Sequence, residues 1–365
     1  MRIFYISCLV LYCSYLHSQT FTNVAGSMGI NHTYSKGFNG GGVSFCDFDY
    51  DGLEDIFFSS SLGQLIVMEK NYSNYFLNVI SQYNITVIYE SKTILIADYD
   101  NDGDRDIFIA NFLGRNKLYR NTGSNFIDAT ASAGLSTDSL PSTAALWFDY
   151  NRDGLLDLYI GLYSGFGNNL NFPNHLYRNL GNGTFQYVSS SAGVSNTGNK
   201  VLAMAALDYN NDGWHDIYIA SDRRIGNTMF KNNGNGTFTN VSSITNTNLE
   251  MDAMGLTIGD YDNNGYFDIY ISNGEEGNAF LKNNGNGTFT DVAASLGMTV
   301  NRVCWGNNFI DYDNDADLDL YISVAQGNPD RKNKLFRNNG NGTFTLTSGI
   351  GLDNDNYESY GNAIG

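Results

Sequence analysis

Asp98-Tyr99-Asp100-Asn101-Asp102-Gly103-Asp104-Arg105-Asp106, followed at once by the apolar run Ile107-Phe108-Ile109-Ala110, is the stretch on which the reading of the fold turns. Counting its nine positions, the same pattern recurs from Asp47 to Asp55, Asp149 to Asp157, Asp208 to Asp216, Asp260 to Asp268 and Asp311 to Asp319. Successive copies start 51, 51, 59, 52 and 51 residues apart. A period of that length means one repeat architecture rather than a string of unrelated domains.

Positions 1, 3 and 5 of a tightly curled loop all point inward, and a carboxylate at position 9 can return to close a cage on a hard cation. The residues there are Asp47, Asp49, Asp51 and Asp55; Asp98, Asp100, Asp102 and Asp106; Asp149, Asn151, Asp153 and Asp157. The other three loops supply Asp208, Asn210, Asp212 and Asp216; Asp260, Asp262, Asn264 and Asp268; Asp311, Asp313, Asp315 and Asp319. Position 7 holds Leu53, Asp104, Leu155, Trp214, Tyr266 and Asp317, which share no side-chain chemistry, so a ligand from that position is a backbone carbonyl. Position 6 is Gly in five copies, as a positive φ demands. Ala316 breaks the rule in the sixth and is expected to be strained there.

An all-oxygen set of about six ligands suits Ca²⁺ better than Mg²⁺, and the absence of soft ligands from the loops argues against zinc or copper. About six Ca²⁺ are expected, one per loop. Asp-Asn-Gly clusters are also good turn formers, yet turn chemistry does not require Asp at position 9 in every copy. An EF-hand closes at position 12 between helices. Here each loop runs into period-two text such as Leu158-Tyr159-Ile160 or Ile269-Tyr270-Ile271, which is a strand signal.

The chain's 365 residues carry a formal charge of −18. Twenty-one of the acids are the loop aspartates, and six Ca²⁺ would bring the total to about −6. The acidity therefore belongs to cation sites, and it speaks against nucleic acid as a partner. Residues 1–18 read as a signal peptide, with Arg2 ahead of the apolar run Ile3 to Leu16. A membrane anchor is the alternative, but the run is shorter than a span of about 18 residues needs. The remaining cysteines, Cys46 and Cys304, sit at different offsets in different repeats and are expected to be two thiols.

Each repeat reads as an apolar strand, the Asp loop, a second strand, a variable loop, a third strand, a glycine turn and a fourth strand. Third strands and turns read His175-Leu-Tyr-Arg-Asn179 and then LGNGTF, or Phe280-Leu-Lys-Asn283 and then NGNGTF. Asn-Gly between such strands is a hairpin signal, and it accounts for the sequons at Asn182, Asn235, Asn286 and Asn341 without glycosylation. Residues 19–365 are thus expected to form an all-β propeller of four-stranded antiparallel blades. Thr20 to Val24 matches the fourth strand of later repeats, and Gly361 to Gly365 matches the text directly before Asp260. The expectation is six blades present and a seventh truncated at the C-terminus.

The Asp loops, the N-x-LYRN-x-GNGTF turns and the FTDV-like fourth strands together resemble the FG-GAP/VCBS repeat family, which includes integrin α-like propellers and cartilage acidic protein. The resemblance implies an extracellular calcium-binding propeller, with each ion between the first and second strands of a blade. It also implies that the metal loops share one face and that the other face holds the partner.

The function expected is a secreted or cell-surface module for adhesion, binding a glycan or a protein, with calcium structural and the propeller monomeric. Expected contact residues on the partner face are Arg115, Tyr163, Phe166, Phe172, Arg223, Arg224 and Arg331. Two alternatives stand beside it. One is the propeller of a carbohydrate-active enzyme such as a polysaccharide lyase, and the other is a passive structural segment of a larger surface protein. Against catalysis, no nucleophile-base pair or paired acids stand out beyond the loops. No membrane insertion is expected once the leader is removed.

Overall fold

A computed structural model describes residues 20–32, 34, 37–62, 67–72, 75–165, 170–326, 332–352 and 359–364. The leader, Phe166 and Arg331 lie outside the described residues. Alternating apolar and polar residues, broken by the Asp loops and glycine turns, produce 24 short strands among the described residues. They form six antiparallel four-stranded units in sequence order. The fifth is representative, with strands Gly255–Gly259, Asp268–Ser272, Ala279–Asn283 and Phe289–Asp291. Among the described residues no helix is long and apolar enough to cross a membrane.

The second and third units depart from strict separation. The strand Asp106–Arg115 runs past its own partners and pairs with the first strand of the next unit, Ser139–Phe148, through Phe112–Pro141, Gly114–Leu140 and Arg115–Ser139. An eight-stranded sheet results.

The apolar core lies between blades rather than within one. One cluster joins Phe57 and Met68 of the first blade to Ile107, Ile109 and Phe126 of the second. Another joins Tyr218 and Met229 of the fourth to Ile269, Leu281 and Phe289 of the fifth. Burying one such side chain contributes about 1.5–3 kcal/mol, so adjacent blades hold each other upright. Tyr159, Tyr218 and Tyr270 are fully buried on second strands, and Asn174, Asn227 and Asn278 donate to their hydroxyls at 3.2, 3.0 and 2.8 Å.

Both ends of the described chain meet between the sixth and first blades. Gly306 N–H donates to Tyr360 O at 2.8 Å, and Asn308 Nδ2 to Asn362 Oδ1 at 2.9 Å, while Tyr360 also packs over Gly40. Phe21 N–H donates to Ile350 O at 2.7 Å. An apolar cleft of about 590 Å³ opens there, lined by Phe21, Val24, Phe45, Ile310, Leu335 and Ile364. Cys46 and Cys304 are free thiols, as their unequal offsets imply.

Candidate metal centre

Every Asp loop links a first strand to a second, so the six loops leave their blades from the same end. Within each loop the position-1 carboxylate organises the turn. Asp98 accepts the N–H of Asp102 on Oδ1 and that of Gly103 on Oδ2, at 3.1 and 3.0 Å. Asp47, Asp149, Asp208, Asp260 and Asp311 repeat the pair of bonds. Position 5 then accepts the N–H of position 7, from Leu53, Asp104, Leu155, Trp214, Tyr266 and Asp317, at 2.8–3.1 Å. The five position-6 glycines have φ between 82° and 95°, and Ala316 adopts the same left-handed backbone at φ 70°.

The closing aspartates Asp55, Asp106, Asp157, Asp216, Asp268 and Asp319 are all buried. Each takes one N–H from position 2 of its own loop and one from the last residue of its third strand. For Asp268 the donors are Tyr261 at 3.2 Å and Asn283 at 2.7 Å. Burial pushes Asp106, Asp157, Asp216 and Asp268 up to about 7, and Asp55 and Asp319 up to about 6, against the opposite pull of those donors. A positive ion beside them is what would restore the ionised form.

Carboxylate oxygens of Asp47, Asp49 and Asp55 lie within 4.8 Å of one another, as do those of Asp98, Asp100 and Asp106, those of Asp260, Asp262 and Asp268, and those of Asp311, Asp313 and Asp315. In three of these cages the position-3 carboxylate has an oxygen, Oδ1 of Asp100, Asp262 or Asp313, that is buried without a hydrogen-bond partner. Such an atom costs free energy unless a hydrogen-bond donor or a cation meets it. The donor set fits a hard divalent ion with oxygen preference. Asn151 and Asn210 fill position 3 of the third and fourth loops and donate to Asp153 and Asp212 at 2.9 and 3.0 Å.

Two groups of residues that the sequence reading left out complete the centre. The asparagine ending each third strand (Asn71, Asn121, Asn179, Asn232, Asn283, Asn338) supplies the N–H to the closing Asp and donates its side-chain amide to the position-8 carbonyl. In the last four, that amide also reaches the preceding blade's loop, at Tyr99, Tyr150, Tyr209 and Tyr261 O, each 2.8 Å away. The basic residue just before each asparagine points to the cage. Its signal was the repeated basic-Asn pair in the LYRN and LKN text.

Of the five described residues expected on the partner face, the structure brings Tyr163 and Arg223 together beside Asp222. Tyr163 is buried with its hydroxyl on Asp222 Oδ2 at 2.5 Å, so it offers no contact surface and that expectation is corrected. Phe172 packs on the core of the second and third blades. Arg223 is held near Asp222 at 3.5 Å, and Arg224 pairs with Glu276. Arg115 is exposed and borders a pocket of about 300 Å³ with Asn116, Lys117, Asp128, Thr130 and Thr137.

Residues 98–160, 162–219, 208–271 and 268–322 each match the family model described as FG-GAP-like repeat. Cartilage acidic protein 1 of Mus musculus is 26% identical over 179 residues, 47% of this chain and 27% of that protein. Cartilage acidic protein 1 of Xenopus tropicalis is 25% identical over 225 residues, 57% of this chain and 34% of that protein. The chain thus spans about a third or less of these relatives' length. Among solved structures, an Agrocybe aegerita lectin specific for non-reducing terminal N-acetylglucosamine superposes with a TM-score of 0.52 at 21% identity, covering 85% of this chain and 80% of its own. BBS1N from its complex with ARL6DN gives 0.51 at 11% identity, covering 85% and 84%.

Proposed function

We propose, for a chain that belongs to the FG-GAP-like repeat family, that it is a calcium-stabilised propeller acting outside the cell as a binding module for a glycan or a protein. The observation that carries the calcium reading is the partnerless buried oxygen of Asp100, Asp262 and Asp313, in cages where both oxygens of the position-1 carboxylate already accept backbone N–H groups. Calcium here is structural, because each cage sits between the strands of a blade and its closing Asp is tied to the third strand.

Support for binding rather than catalysis is the repeated, closed chemistry of the loops. Fold likeness to a lectin and to a propeller from a protein complex favours recognition as the activity, although fold alone does not carry function. The Arg115 pocket, with two threonines and a Lys117 already paired with Asp128, suits a hydroxyl-rich ligand. The test pairs calorimetric calcium titration of the purified chain with a glycan array run in calcium and in chelator. Uptake of several calcium ions and calcium-dependent retention on a glycan class support the reading. No uptake overturns its calcium half, and turnover of an acidic polysaccharide overturns its binding half.

A further inference from the structure

Six third strands each send one basic side chain to the Asp loop of their own blade. Lys70 bonds Asp49 and lies 2.9 Å from Asp51, and Arg120 is 4.0 Å from Asp100. Arg178 is 3.4 Å from Asp153, Lys231 is 3.3 Å from Asp212, and Lys282 is 2.6 Å from Asp262. Arg337 reaches Asp313 at 3.0 Å and Asp315 at 3.8 Å.

The partner changes with the charge and not with the position. Where position 3 is Asn151 or Asn210, the cation goes to the position-5 aspartate. Where position 5 is Asn264, it goes to position-3 Asp262. Contacts made by chance between surface side chains would not follow the carboxylate in this way. These carboxylates also keep an oxygen that no backbone N–H engages, whereas both oxygens of Asp98 and of Asp106, at positions 1 and 9, accept one.

We propose that these six side chains are tethered counter-ions of the metal cages. Each holds its carboxylates together while the cage is empty, and each repels the divalent ion that takes them over. The proposal rests on the calcium reading. Its consequence is opposite signs: the cation stabilises the metal-free blade and weakens metal binding. An ordinary surface ion pair would add a little stability in both states.

The test replaces the cation in the three loops that carry three aspartates at positions 1, 3, 5 and 9, with Arg178→Met, Lys231→Met and Lys282→Met combined in the full chain. Calcium titration by calorimetry is expected to show these sites tightened about tenfold, from removing a positive charge a few ångströms from a divalent ion. The melting temperature in chelator is expected to fall. Lys282→Met alone, read as melting temperature across a calcium series, gives the same crossing of curves should the triple variant fail to fold without metal. Lys282→Arg is expected to behave as wild type. Wild-type uptake of calcium with unchanged or weaker binding in the variants overturns the tethered-cation assignment alone. A wild-type chain that takes up no calcium overturns the calcium reading and this assignment with it.

Discussion

Two aspartates of one loop do different work, and substitution separates them. Asp268 is buried and accepts backbone N–H groups from Tyr261 and Asn283. Asp268→Ala strands both donors and is expected to cost roughly 3 kcal/mol with or without calcium. Asp262 has one oxygen with no partner and the other on Lys282, so Asp262→Asn is expected to cost under about 1 kcal/mol in chelator. Its larger effect should appear only in calcium, and denaturant melts of both variants in both conditions check the contrast.

The closing aspartates also set a pH dependence. Their folded pKa values, about 6 to 7, lie above the unfolded value. Such groups add stability that is complete below about pH 4 and is lost as pH rises through the folded pKa. His32 and His175, lowered by burial, act in the opposite sense through the same window, two groups against six. In chelator the melting temperature should therefore fall between pH 5 and about 7.5. With calcium saturating, the slope should reverse, because the ion binds the ionised form.

At the scale of the element, the loop residues were legible because each is an Asp or Asn at a fixed spacing within nine positions. The third-strand asparagines were not, although LYRN stands in plain text. The side-chain amides of the last four also bond into the preceding blade, 74 residues away for Asn283 and Tyr209, and no local pattern marks so distant a contact. Asn283→Ala removes the amide from Phe267 O and Tyr209 O and the acceptor from Gly285 N–H. The expected loss is roughly 2 kcal/mol, seen as a lower melting temperature. Tyr163 failed as a contact residue for a related reason, since only the neighbouring blade's Asp222 shows that its hydroxyl is engaged inside the protein. The sequons read correctly as turns: Asn235 and Asn286 each accept both the N–H and the hydroxyl of the threonine two residues on.

Across the whole molecule, the repeat period made six four-stranded units legible, whereas the merger of the second and third was not. Its cause is the length of the strand Asp106–Arg115, whose backbone irregularity at Leu113, φ 55°, carries the chain across to the next blade. The asparagine bridges and the inter-blade core make neighbouring loops dependent on one another, and this governs what removing metal does. At the 10⁻⁴–10⁻³ M affinity of extracellular modules, calcium at ten times Kd contributes about 1.4 kcal/mol per site. Six sites then approach the roughly 5–15 kcal/mol that holds a whole domain together. Chelation is expected to lower the melting temperature by more than about 10 °C. Because Asn179, Asn232, Asn283 and Asn338 each clamp two loops, the chelated ring should still lose its blades in one transition. Calorimetry in chelator checks both statements, and a melting temperature indifferent to calcium would leave the cages without a stabilising role.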